Sequence, residues 1–289
     1  MAPDTKTWGT GMQTLGKDAY AWVQGLSPQN STAGISNAGL ILGLDGCLVI
    51  DTMNIPSMVR PFRQRIAEMT PLPIRHVVLT HVHGDHTHNL YLFPEAESIA
   101  HERCRSHLEE GGQQAIEDYA KTRPHWAEEL KDVRVALPNV TITDRMTMFY
   151  GEHRIERSHP GPAHTDNDVI VYLPEQRVLY AGDIFFFWSA PLGHQGDFPN
   201  WLRTIDEVLE MDLDIIVPGH GPIGTKDDAL VARGAVEAYL EEGRRCFQAG
   251  YSLEEAIQRA DLGEYAGWPD AVQRIRQNFG SIYRSLGAK

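Results

Sequence analysis

Short apolar, β-branched runs alternate with amphipathic stretches along the first half of the chain. This alternation is typical of layered sheets covered by helices. Residues 56 to 69 carry apolar side chains near helical spacing and stop before Thr70-Pro71, so they predict a helix that covers one sheet face. The strands predicted in this half are Tyr20 to Val23, Ala38 to Leu42, Cys47 to Ile50 and His76 to Thr80.

From Arg103 to Lys131 the chain becomes polar and charged, with Gly111-Gly112 in its middle. The pattern predicts two surface helices joined by a hinge at the glycines. We expect these helices to lie beside any site that Asp85 and His86 form. The segment could form one wall of a site. For the charged stretch 105 to 134, two interpretations remain: a solvated helical face or a lid.

The second half is again rich in β-branched and aromatic residues, with turn residues between the runs. It then gives way to long amphipathic stretches towards the C-terminus. Predicted strands are Val140 to Ile142, Met146 to Phe149, His153 to Glu156, Val169 to Leu173, Val178 to Ala181 and Ile215 to Val217. Predicted helices are Asn200 to Glu210, Lys226 to Gln248, Leu253 to Ala260 and Ala271 to Leu286.

Composition narrows the class of protein. With 289 residues and 42% apolar side chains, the chain can bury one substantial core, so we expect a single domain over residues 1–289. A formal net charge of -13, with no basic run, argues against a nucleic-acid partner. Three scattered cysteines fit a reducing compartment. No signal peptide or membrane span is recognisable, so the sequence predicts a cytoplasmic, soluble protein without a membrane partner.

The stretch HVVLTHVHGDHTHNL, residues 76 to 90, carries the chemistry. An apolar run there ends in a burst of imidazoles and one carboxylate, which packing alone does not explain. In an extended chain His81, His83 and Asp85 point to the same side, while His86 follows on the next turn. Because His86 faces a neighbouring point, the burst predicts two adjacent metal centres. Imidazole and carboxylate ligands suit Zn²⁺ and also accept iron or manganese.

Four side chains cannot hold two ions, and three further candidates lie next to other apolar strands. His164 occupies a turn rich in glycine and proline before a strand, whereas Asp183 follows VLYAG and His220 follows IIVPG. Taken one at a time, such residues often close turns or cap helices. Ligands dispersed along the sequence but gathered by the fold are nevertheless the common arrangement for catalytic metals.

With these seven residues, the chain resembles the metallo-β-lactamase-fold superfamily, whose signature is HxHxDH followed by a distant His, Asp and His. The resemblance implies a four-layer αβ/βα sandwich, an α+β fold. Its core would cover about residues 18–225, and residues 226–289 would form a C-terminal helical extension. It also implies the ligand sets: His81, His83 and His164 for the first ion, Asp85, His86 and His220 for the second, and Asp183 between them.

The same resemblance implies an enzyme: a dinuclear hydrolase with two divalent ions, Zn²⁺ first, that cleaves an ester, thioester, lactone or lactam with a metal-bridging hydroxide. Asp85 would orient the hydroxide and pass its proton to the leaving group. Asp51 and Thr80 are placed to orient imidazoles. Asp183 and His86 stand where the first subclass of zinc β-lactamases carries Cys and Arg, which favours a general hydrolase over a dedicated lactamase.

Other functions remain open. A sulfur (persulfide) dioxygenase of the same superfamily would hold one iron, and a true or side β-lactamase activity is a further alternative. A nuclease is disfavoured by the acidic balance, and a scaffold without activity by the seven retained residues. The aromatic run Phe185 to Trp188, with His194 after it, lines an apolar substrate pocket or is buried core. We expect a small-molecule substrate, and the oligomeric state stays open.

Overall fold

The computed structural model describes residues 8–27 and 30–288. Its twelve strands form two sheets, one of seven strands in chain order and one of five in the order β12-β11-β10-β9-β8. The strands are β1 Gly11–Gly16, β2 Ala19–Val23, β3 Ala38–Leu42, β4 Cys47–Ile50, β5 Ile74–Val78, β6 Glu97–His101, β7 Val140–Ile142, β8 Arg145–Tyr150, β9 His153–Ser158, β10 Ile170–Leu173, β11 Val178–Phe186 and β12 Ile215–His220.

Eight α-helices accompany the sheets within the described ranges. They are α1 Pro56–Met69, α2 Gly84–Thr87, α3 Glu102–Thr122, α4 Ala127–Leu130, α5 Phe198–Glu210, α6 Lys226–Gln248, α7 Leu253–Arg259 and α8 Ala271–Ser285. Proline at the first position of α1 starts that helix without losing a hydrogen bond, and the helix has the predicted bounds 56–69. In the part of the chain that the structure describes, no helix is both long and apolar enough to cross a membrane.

The two sheets face each other across a shared apolar core. Ile41, Leu48 and Val78 from the first sheet pack in the same cluster as Val171 and Val217 from the second. Within the first sheet, antiparallel pairing from β1 to β4 changes to parallel pairing from β4 to β7. Within the second, β12 runs parallel to β11 and the other pairs are antiparallel.

Helices cover both outer faces of this pair of sheets. Phe62 and Ile66 of α1 pack with the strand residues Leu40, Val49 and Val77 on one side. On the other side, Trp201 and Ile205 of α5 pack with Leu179 and Ile216, and Tyr239 of α6 and Phe279 of α8 join the same cluster. The architecture is therefore a four-layer αβ/βα sandwich with additional C-terminal helices, which confirms the predicted fold class.

The strand before the histidine motif ends earlier than predicted, at Val78 instead of Thr80. The backbone N–H of Thr80 donates to the Asp51 carboxylate, with 2.8 Å between N and Oδ1, and not to a neighbouring strand. The chain therefore leaves the sheet before Thr80 and turns towards the ligand cluster. Strands β1 and β6 were not predicted.

The predicted hinge at Gly111-Gly112 is wrong, because α3 runs unbroken from Glu102 to Thr122. Cys104, Leu108 and Ile116 bury one face of the helix, and this packing outweighs the weak helix propensity of two glycines. A Cβ at residue 112 would lie 3.0 Å from the side chain of Val135, whereas a Cβ at residue 111 would meet nothing within 4 Å.

A continuous helix predicts that Gly111→Ala stabilises the protein. Alanine removes the entropic cost of a helical glycine, so we expect the free energy of unfolding to rise by about 0.5–1 kcal/mol. Urea denaturation measures it, with Gly112→Ala as the matched control that should gain less because Val135 is close. A loss of stability in Gly111→Ala would instead support a hinge at this position.

Candidate metal centre

The fold brings all seven candidate residues to one edge of the sandwich. Four lie on the loop and short helix after β5, His164 lies on the loop before β10, and His220 is the last residue of β12. Asp183 lies inside the nine-residue β11, not after its end as the sequence predicted. They form two groups, each with one ligand atom per residue and all atoms within 4.8 Å of one another: His81, His83, His164 and Asp183, and Asp85, His86 and His220.

The first group converges on a small volume. His83 Nδ1 lies 3.1 Å from His81 Nε2 and 2.9 Å from His164 Nε2. Asp183 Oδ2 lies 3.3 Å from His164 Nε2 and 3.8 Å from His81 Nε2. Three imidazole nitrogens and one carboxylate oxygen thus face one another.

The second group is built around the same carboxylate. His220 Nε2 lies 3.4 Å from Asp85 Oδ2 and 3.3 Å from Asp183 Oδ2. His86 Nε2 lies 3.2 Å from Asp183 Oδ1. Asp183 therefore stands between the two groups, with Oδ2 near residues of both and Oδ1 near His86 of the second.

Hydrogen bonds on the far side of His81, His86 and His220 fix which nitrogen of each ring faces the cluster, whereas His164 Nδ1 is buried without a hydrogen-bond partner among the described residues. His86 Nδ1 donates to Asp51 Oδ2 at 2.7 Å, and His220 Nδ1 donates to the Ile35 carbonyl at 2.9 Å. The Thr80 hydroxyl donates to Asp51 at 2.8 Å, so its oxygen accepts from His81 Nδ1 at 3.1 Å. Asp51 and Thr80 thus make the contacts that the orienting role requires, since such partners set the tautomer of a ligand histidine.

Burial and mutual charge fix the protonation of the cluster. Burial holds the pKa of His81 and of His164 well below the ordinary value, so both rings are neutral at pH 7. Burial alone would raise the pKa of Asp183, but the imidazoles of His220 and His86 hold it well below its usual range. Burial alone would lower the pKa of His86, but the carboxylates of Asp183 and Asp51 hold it well above the ordinary value. Metal ligation needs neutral imidazoles around an ionised carboxylate, so a bound ion would have to displace the proton of His86.

The donor set fits divalent ions. His81 Nδ1 and His83 Nε2 carry the ring protons and point away from the cluster; His83 Nε2 donates to Gln195 Oε1 at 2.8 Å. The nitrogen lone pairs of His81 Nε2 and His83 Nδ1 therefore face each other inside the cluster. Asp183 Oδ1 and His86 Nε2 are buried and make no hydrogen bond within the described ranges. Zinc–nitrogen distances of about 2.0–2.1 Å in a tetrahedron place ligand atoms about 3.3 Å apart, close to the spacings in the first group.

The loop that carries His164 is held by residues that the sequence did not single out. Asp168 accepts from the backbone N–H of Thr165 at 2.9 Å and from its hydroxyl at 2.6 Å. Asn167 Oδ1 accepts from the backbone N–H of Val82, at 2.9 Å, inside the histidine motif. The Thr-Asp-Asn-Asp run after His164 is a turn signal that could have identified this link.

A cavity of about 580 Å³ opens over the cluster. Helix α3 forms one wall with Leu108, Ala115 and Tyr119, as the sequence suggested for this segment. Of the aromatic run, Phe185, Phe186 and Phe187 all belong to the core, and Phe186 also lines the cavity and stacks on His220 at 4.9 Å between ring centroids. His194 also lines the cavity and stacks on His83 at 4.9 Å. Both interpretations of the run were therefore partly right.

Known proteins resemble this chain in sequence and in fold. A type 2 metallo-β-lactamase of Bacillus sp. (strain 170) is 24% identical over 198 residues, 66% of this chain and 69% of the relative. A linear primary-alkylsulfatase of Pseudomonas sp. (strain ATCC 19151) is 19% identical over 285 residues, 84% of this chain and 52% of the relative. The solved structure of the inverting sec-alkylsulfatase Pisa1 from Pseudomonas sp. superposes with a TM-score of 0.74 at 16% identity, covering 97% of this chain and 51% of that one.

This chain spans about half the length of both alkylsulfatases. A sequence profile of the metallo-β-lactamase superfamily matches residues 31–220, which include all seven residues of the cluster. The four-layer sandwich and the order of the motifs agree with that match. The chain therefore belongs to the metallo-β-lactamase superfamily of metal-dependent hydrolases.

Proposed function

We propose that the protein is a dinuclear metallohydrolase. His81, His83 and His164 would hold one divalent ion, Asp85, His86 and His220 the second, and Asp183 would contact both. The observation that carries the proposal is the position of Asp183 Oδ2, 3.3 Å from His164 Nε2 and 3.3 Å from His220 Nε2. Zn²⁺ is the first choice for a set of imidazoles and carboxylates without cysteine, with iron or manganese as alternatives.

Two bound divalent ions supply Lewis acidity and a water whose pKa falls to about 7. The protein's own groups then have defined tasks. Asp85 lines the cavity, and although burial alone would raise its pKa, His86 and His220 lower it, so it is an ionised proton acceptor. Asp85 can accept a proton from the attacking water and return it to the leaving group. Phe186 and Tyr119 line the cavity and would limit the access of bulk water to the reacting atoms.

The apolar walls favour a small carbonyl substrate. Leu108, Ala115, Phe186 and Leu192 offer surface for an acyl chain or ring, which suits an ester, a thioester, a lactone or a lactam. A second candidate is a sulfate ester, because the primary-alkylsulfatase aligns with 84% of this chain, well beyond the residues that the superfamily profile covers.

A substrate panel tests the proposal. The metal-loaded protein is assayed with nitrocefin, a homoserine lactone, S-lactoylglutathione, a p-nitrophenyl ester and octyl sulfate. We expect hydrolysis of at least one, abolished by a chelator and restored by Zn²⁺ or Mn²⁺. Hydrolysis that survives complete metal removal would contradict the proposal. Persulfide-dependent oxygen consumption with one bound iron would replace it by a dioxygenase.

The contact between Asp51 and His86 yields a further prediction. Asp51→Asn keeps the size of the side chain but loses the carboxylate that orients His86, so we expect metal affinity to fall about 10- to 100-fold. Competition with a fluorescent zinc chelator measures the affinity. Asp45→Asn, at a solvent-exposed carboxylate near Arg75, is the matched control that should leave it unchanged. An unaltered affinity in Asp51→Asn would remove the orienting role.

A further inference from the structure

A buried arginine faces the same cavity from the C-terminal helices. Arg274 lies in the first turn of α8, is 4% exposed and lines the cavity above the ligand cluster. Its guanidinium carbon lies 5.1 Å from the centre of the Phe186 ring, and that ring stacks on His220. The positive charge therefore stands one aromatic ring away from the second ligand group.

The guanidinium of Arg274 makes one ion pair, and the carboxylate in that pair is shared with other donors. Its Nη1 donates to the Ala190 carbonyl, and its Nη2 lies 3.2 Å from Thr32 Oγ1 and 3.3 Å from Asp270 Oδ2. Asp270 Oδ2 also accepts from the Thr32 backbone N–H at 2.9 Å. Arg274 therefore contacts Asp270 through one nitrogen only, and the accepting oxygen is shared with Thr32. A guanidinium has five N–H donors and is the side chain best suited to grip an oxyanion.

A second cation in the lining competes for the same role. Arg123 lies at the end of α3, with its guanidinium carbon 4.1 Å from the centre of the Tyr119 ring, and the carboxylate of Glu110 lies on the same wall. Arg123 is more exposed than Arg274, so water screens its charge more strongly. Gln277, one turn after Arg274 on α8, also lines the cavity and places a side-chain amide on the same wall as Arg274.

We propose that Arg274 binds an oxyanion of the substrate, a carboxylate near the scissile bond or the sulfate of a sulfate ester. The substrate class is then an anion with an apolar body, which the walls of Leu108, Ala115 and Leu192 accommodate. The hydrolytic step rests on the proposed function, whereas anion binding by Arg274 does not. Burial lowers the pKa of Arg274 and Asp270 opposes that shift, so the group keeps its proton at neutral pH.

Calorimetry on the metal-free protein tests the proposal apart from catalysis. Octanoate, octyl sulfate and octanol share an apolar chain and differ in the head group. We expect both anions to bind more tightly than octanol, and Arg274→Gln to weaken them about tenfold or more, the effect of losing charge-assisted hydrogen bonds. Binding of octanol should change little, and Arg274→Lys should restore part of the affinity. The tighter anion identifies the head group.

Controls come from the same helix and from the opposite wall. Arg276→Gln removes an exposed arginine of α8, paired with Glu254, and should bind the anions like the wild type. The proposal is overturned if the wild type binds the anions no better than octanol, which needs no variant to fold. It is also overturned if Arg123→Gln removes the preference while Arg274→Gln keeps it. A panel assay without any hydrolysis would remove the proposed function and leave these binding results standing.

Discussion

Replacing Asp183 by asparagine is expected to lower both metal content and hydrolytic rate more than any other single change. The carboxylate lies 3.2 Å from His86 Nε2 and 3.3 Å from both His164 Nε2 and His220 Nε2, so its charge serves both ligand groups. Without it we expect metal content to fall to about one ion per chain or fewer, and kcat/KM to fall about a thousandfold. Elemental analysis and steady-state kinetics measure the two effects.

Asp166→Asn is the matched control for that variant. Asp166 lies two residues after His164, but its side chain is 43% exposed and pairs with His107 at 3.0 Å and with Asn167 Nδ2 at 2.8 Å instead of with the ligand groups. Its loss should therefore leave metal content and activity near the wild-type level. An Asp183→Asn protein with two ions and full activity would show that the carboxylate is not shared by the two groups.

The second large effect is expected at a residue that cannot itself bind a metal. Gly219 precedes His220 on β12, and a Cβ there would lie 1.8 Å from Asp183 Oδ1 and 2.9 Å from the Gly182 backbone. Because Asp183 is buried and cannot move aside freely, Gly219→Ala should displace the carboxylate. We expect metal affinity to fall about 100-fold and the free energy of unfolding to fall by about 1–3 kcal/mol.

Chelator competition and urea denaturation measure these two quantities. Gly267→Ala is the control, because a Cβ at that position meets no heavy atom within 4 Å. Wild-type metal affinity in Gly219→Ala would mean that Asp183 has room to move. The close approach of β12 to β11 would then not determine the position of the Asp183 carboxylate.

Local signals explain why much of the fold was predictable. The proline at the start of α1 and the Thr70-Pro71 pair after its end mark both boundaries, and the predicted and observed helix agree at 56–69. The predicted strands β3 and β4 also agree residue for residue, because apolar runs bounded by glycine, aspartate or proline leave little choice. Seven candidate residues could be chosen because each follows or precedes such a run.

What the sequence could not predict depends on contacts between distant segments. Gly111-Gly112 carries the signal of a hinge, yet the packing of α3 against the first sheet keeps the helix continuous. Arg274 reads as one more arginine of an amphipathic helix, and only the packing of α8 beside Phe186 places it in the cavity. Asp183 lies within β11 instead of after its end, because β11 pairs with β12 as far as Phe186 and His220.

The metal content of the active protein tests the central claim most directly. Native mass spectrometry of the chain as purified, after chelation and after reconstitution with Zn²⁺ is compared with activity on the best substrate of the panel. We expect two ions per chain in the active protein, loss of activity with their removal and recovery as the second ion returns. Full activity with one ion or none would contradict a dinuclear centre built from these seven side chains.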